Sequence, residues 1–168
     1  MKRATWIVAV VCVILLADLV LFGLYIPPLV WHAGHGNYVE MKGIRYRLPL
    51  MYLEHSAIGN ELYISTTLHR FPQKIAEITL SPHKTYSIPE TDDFMRDLGL
   101  QRSLRRRVNV AGREGTCVEY APATTTRTTY IVRCTLAEDL NAEFMGTENA
   151  IPDFYAILQS GEAVKGKH

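Results

Sequence analysis

Apolar residues run almost without interruption from position 6 to position 26, after which short alternating runs separated by Gly, Pro and Asn take over. Asp18 is the sole charge in the first stretch. A helix over it, rising about 1.5 Å per residue, is long enough for a hydrocarbon core of about 30 Å. Trp6 stands at one end and Tyr25 and Trp31 at the other, where aromatic rings favour the headgroup layer, and Lys2 and Arg3 precede it. Pro27 and Pro28 are expected to stop the helix. The run is longer than the core of a secretory leader and no small-residue cleavage site follows it, so an uncleaved transmembrane signal anchor is expected over residues 6–31. It leaves a short tail at 1–5 and a juxtamembrane linker at 32–36. Cys12, inside the run, reads as lipid-facing or helix-packing.

Beyond position 36 the period shortens to two. Residues 38–41 and 44–48 flank Lys42-Gly43, and the second run alternates apolar with basic residues, which predicts a hairpin with one buried face. Further strands are predicted over 51–53, 61–68 and 74–80, punctuated by Gly59-Asn60, Pro72 and Pro82. Thr91 followed by Asp92 and Asp93 reads as the start of a helix with the stripe Phe94, Met95 and Leu98, ended by Gly99. Strands are expected again over 115–121, 128–136 and 140–145. Ile151, Phe154, Tyr155 and Leu158 then recur at helical spacing, with Pro152 in the first turn and Gly161 as the stop. The fold class that follows is α+β: one antiparallel sheet with one or two helices packed on one face, in a globular domain over 37–161 and with a flexible C-terminal tail over 162–168.

The closing strand, the loop containing Gly146 and the Ile-Pro-x-Phe-Tyr-x-Ile-Leu helix resemble the end of PsbP and Mog1-like domains over the last twenty or so residues. The resemblance includes no functional motif and implies no site residue.

With 168 residues, 48% of them hydrophobic and 21% charged, the chain has the length of one ordinary domain. Acidic and basic residues balance beyond position 31. Nucleic acid is therefore not an expected partner, because phosphate neutralisation needs a basic surface. The positive-inside rule sets Lys2 and Arg3 against Lys42, Arg45 and Arg47; the latter fall in folded structure, so the C-terminal domain is expected on the periplasmic or extracellular side of a cell inner membrane.

Three features carry candidate chemistry. A hairpin centred between Thr125 and Thr126 sets Cys117 opposite Cys134, within disulfide reach; in an oxidising compartment the bridge would close a loop of about 18 residues, worth about 3 kcal/mol. Arg102, Arg105, Arg106, Arg107 and Arg113 crowd one stretch without an acid, which fits a charged edge strand or loop, or else a face for anionic headgroups, acidic polysaccharide or an acidic partner. Asp18 is costly within a bilayer and so a candidate contact with another membrane helix, in a homo-oligomer or a larger complex.

Other chemistry finds little support. His32 and His35 lack a nearby third ligand, so no metal site and no cofactor are expected. Glu119 and Arg133 read as a cross-strand ion pair. No Gly-x-Ser-x-Gly elbow, Ser-x-x-Lys pair or phosphate loop occurs, and Ser56, Ser65, Ser81 and Ser103 cannot be ranked as nucleophiles. The expected function is a membrane-anchored, non-enzymatic binding or assembly accessory of an envelope complex. The alternatives are an anionic lipid or polysaccharide binding module built on the Arg cluster and a membrane-tethered hydrolase with a distributed site.

Overall fold

The computed structural model describes residues 2–20, 26–58, 61–66, 74–82, 88–124, 128–137 and 140–164. Helix α1 covers Lys2–Val20, and its side chains from Trp6 to Asp18 are exposed. A second helix, α2, covers Ile26–His35 with Pro27 and Pro28 in its first turn, where a missing N–H is no loss. The proline pair thus opens a helix as well as following one, and the linker expected at 32–36 is mostly the last turn of α2, closed by the Gly36 N–H to the His32 carbonyl at 2.8 Å. Among the described residues no helix is long and apolar enough to cross a membrane. The single span expected over 6–31 is corrected accordingly: its residues are shared between α1 and α2, and Pro28 and His32 are buried.

The hairpin β1 (Tyr38–Met41) and β2 (Ile44–Arg47) forms as expected, with Lys42 at φ 52° and Gly43 at φ 71°. Both values are positive, the signature of a two-residue turn whose twist matches the strands. Strand β10 (Glu162–Ala163) pairs with β2, so the start of the expected tail belongs to a three-stranded sheet. The main sheet holds β3 (Tyr52–Ile58), β4 (Glu61–Thr66), β5 (Ala76–Ser81), β6 (Leu100–Val110), β7 (Arg113–Pro122), β8 (Tyr130–Ala137) and β9 (Leu140–Gly146). All neighbours pair antiparallel, in the order β3-β4-β5-β9-β8-β7-β6.

Strand β6 is the Arg-rich segment. Its only buried positions are Leu100, Val108 and Val110, and it turns into β7 through Ala111 and Gly112, both at positive φ. At the sheet edge a strand needs few apolar residues, and repulsive charge there discourages pairing with another chain.

Helix α4 (Ile151–Gln159) lays Phe154, Tyr155, Ile157 and Leu158 on one face of the sheet, in a core with Cys117, Val132, Cys134 and Phe144. Helix α3 (Ile88–Asp97) begins before Thr91 and ends as expected, at Gly99 with φ 73°. Of its predicted stripe only Met95 is buried; Phe94 and Leu98 are exposed. Met95 packs with Leu100, Val118, Tyr120 and Ile131. Along β7 and β8 these alternate with Cys117, Val132 and Cys134, and successive strand residues point to opposite faces. The helices therefore cover opposite faces of the sheet, correcting the expectation of helices on one.

Strand β9 closes the sheet where Gly146 stands opposite both Ala76 and Tyr130. A Cβ at Gly146 would lie 2.2 Å from the Ile75 carbonyl oxygen and 3.0 Å from the Ala76 Cα. Because backbone atoms cannot swing aside, Gly146→Ala is expected to destabilise the fold by roughly 1–3 kcal/mol, read as a lower urea midpoint with an unchanged slope.

Candidate functional site

The disulfide is present. Cys117 and Cys134 are directly opposed on β7 and β8, as the hairpin centre required, and both are buried beneath α4. It crosses the two strands inside the edge strand β6 and holds the register on which the arginines are displayed.

The five arginines do not form one patch. β6 alternates, with a register shift between Arg102 and Leu104, and sends its residues to both faces. Arg102 donates to Asp92 of α3, which also accepts the Tyr120 hydroxyl at 2.8 Å. Arg106 lies on the α4 face, its guanidinium 4.5 Å from the centre of the Tyr155 ring, and the Tyr155 hydroxyl donates to Glu119 at 2.7 Å. Arg113, at the start of β7, acts electrostatically on Tyr46. Arg105 and Arg107 remain, opposite Val118 and Thr116 on the face away from α4; both are exposed and neither forms an ion pair among the described residues.

Glu119 and Arg133 are not partners. Glu119 stands opposite Val132, while Arg133 lies on the other face and donates to Glu143 at 2.7 Å. In the register that opposes Cys117 and Cys134, Arg133 falls opposite Val118, so the Glu119 and Arg133 side chains leave opposite faces. His32 and His35 also act apart: their Nδ1 atoms donate to the carbonyls of Gly36 at 3.2 Å and Trp31 at 3.0 Å, and the His35 ring stacks on Trp31. Among the described residues no group of three metal-ligating side chains comes together. Asp18 is exposed on α1 and has no ion partner among the described residues.

Of the four serines, the side chain of Ser56 lies outside the described residues, and Ser103 donates to the Glu119 carbonyl at 3.2 Å. Ser81 ends β5, half-buried. Ser65 lines a cavity of about 370 Å³ on the open face of the sheet, with His55, Tyr63, Glu77 and Thr79. Its hydroxyl has no hydrogen-bond partner among the described residues, so Ser65 and His55 share a cavity without a nucleophile–base hydrogen bond. The chain spacing gave no sign of this grouping, because its members come from β3, β4 and β5.

Buried tyrosines tie helices to sheet. Burial pushes Tyr46 up to about 12, with Arg113 opposing, and burial with the bond to Asp92 pushes Tyr120 up to about 12. Burial also raises Tyr52, which donates to Asp153 of α4, and Tyr155.

No family model matches the chain, and no curated protein matches it. Among solved structures, the solution structure of cyanobacterial PsbP (CyanoP) from Synechocystis sp. PCC 6803 is similar at 11% sequence identity with a TM-score of 0.45, covering 72% of this chain and 86% of that one. A likeness of that strength assigns neither family nor activity.

Two outcomes follow. Replacing Cys117 and Cys134 together by Ser is expected to cost about 3 kcal/mol in the loop-entropy account, measured as a drop in urea midpoint relative to the oxidised protein. Tyrosines whose folded values lie above their unfolded values near 10 stabilise the fold fully below pH 10 and lose that contribution as pH rises through the folded values. An absorbance titration of tyrosinate should therefore show a late set near pH 12, accompanied by unfolding between pH 10 and 12.

Proposed function

We propose that the chain is a membrane-tethered binding or assembly accessory rather than an enzyme, held at the inner membrane of a cell envelope with its domain on the periplasmic or extracellular side. The observation that carries the reading is α1: every described side chain from Trp6 to Asp18 is exposed, and the apolar ones surround the helix. A helix apolar on all sides is solvated by lipid better than by one protein groove, which would leave its far side in water. The disulfide supports the oxidising side of the membrane.

A second reading is favoured by Arg105 and Arg107, two guanidinium groups without an ion pair among the described residues, two residues apart on one face of the edge strand. They suit an anionic headgroup or acidic polysaccharide close to the bilayer. The other three arginines of the cluster are engaged within the domain, so the reading rests on these two.

Replacing Val13 and Leu16 by Lys should move the full chain from the floated membrane fraction to the soluble fraction, with the domain still folded by circular dichroism. In intact cells a membrane-impermeant thiol reagent should label Cys117 and Cys134 only after reduction. Labelling without reductant, and only in broken cells, would place the domain on the reducing side and remove this assignment. For the second reading, Arg105→Ala with Arg107→Ala should abolish salt-sensitive binding to vesicles containing anionic lipid, whereas Arg106→Ala should spare it.

A further inference from the structure

We propose that the open face of the main sheet carries a binding site for a primary ammonium group, formed by Glu77, Ser65 and Thr79 and walled by Tyr63. It does not rest on the membrane-tethering reading. The first support is Ser65, only 6% exposed, which lines the 370 Å³ cavity and whose hydroxyl has no hydrogen-bond partner among the described residues. A buried hydroxyl left unpaired costs free energy and is among the rarer features of a folded protein. Ser65 stands directly opposite Glu77 on β5, and Tyr63 directly opposite Thr79, so the four residues form a square on one face of two paired strands.

The charge of the lining selects the ligand. Among the described residues Glu77, which is exposed, has no ion partner and no Lys or Arg lines the cavity. Arg133, on the same face of the sheet, is paired with Glu143, which itself stands opposite Thr79. The Tyr63 hydroxyl donates to Glu61, which adds a second carboxylate at the rim. The Glu77 carboxylate disfavours an anion here.

An ammonium group has three donors and no acceptor. The Glu77 carboxylate and the hydroxyl oxygens of Ser65 and Thr79 offer three acceptors on residues whose Cα atoms stand roughly 5 Å apart across the strands and roughly 7 Å along one, a gap that the long Glu77 side chain can narrow. The Tyr63 ring supplies an aromatic wall, to which a cation is attracted. His55, at the register shift of β3, borders the same cavity. A free amine or the lysine side chain of a partner protein would present the same group.

Amide chemical shifts of the full chain in detergent micelles, titrated with n-butylamine, test the site. Saturable shifts are expected at Ser65, Glu77 and Thr79, and none with 1-butanol. Glu77→Gln, at an exposed position, should weaken butylamine roughly tenfold, and Ser65→Ala roughly threefold. Nα-acetyl-lysine amide binding more tightly than butylamine would assign a partner's lysine, and the reverse a free amine; both support the ammonium site. Absence of saturation, equal shifts with 1-butanol, or unchanged binding by Glu77→Gln would overturn it.

Discussion

The pairing of β9 on both its edges is what makes this domain one sheet. β5 runs along one side of it from Ala76 opposite Gly146 to Ser81 opposite Asn141, and β8 along the other from Tyr130 opposite Gly146. Strands β3 to β5 and strands β6 to β8 each form a consecutive antiparallel set, and β9 is the element between them. The same strand turns Leu140, Ala142 and Phe144 toward α4, where the Phe144 and Phe154 rings lie 5.5 Å apart. Register, core and helix docking therefore meet on seven residues, and Gly146 is the point at which two backbones come too close for any side chain.

A seven-stranded sheet has two faces to dispose of, and this one treats them differently. The α4 face is apolar across its width, and the tyrosines at its margin are tethered to carboxylates: Tyr52 to Asp153 and Tyr155 to Glu119. On the other face α3 covers one end through Met95 and is tied down by Asp92, which receives both Tyr120 and Arg102. The rest of that face carries Glu77, Thr79, Tyr63 and Glu143 in place of a second core. Such polarity suits a surface that meets ligands and water, since hydroxyl and carboxylate groups there lose nothing by remaining unburied.

The disulfide and the arginines are connected by position. Cys117 lies opposite Cys134 on one side and opposite Arg106 on the other. A covalent tie one strand in from the edge limits fraying of β7, and with it the displacement of Arg105 and Arg107 on β6. Neighbouring arginines repel one another; Arg102 is held by an acid and Arg106 by an aromatic ring, while Arg105 and Arg107, which have no ion pair among the described residues, alternate onto the open face.

Local chemistry made much of this legible from sequence. Lys42-Gly43 specifies its turn, Pro152 and Gly161 bracket α4, and the symmetry of Cys117 and Cys134 about Thr125–Thr126 settles a register, because each depends on residues close in the chain. Strand β6 was harder to see, since an edge strand with three buried residues hardly alternates. The side of the sheet taken by α3, the division of the arginines and the cavity around Ser65 could not be read in this way. Each turns on which of two faces a residue occupies once distant strands have paired, and a shift of one residue reverses that face without altering the local pattern.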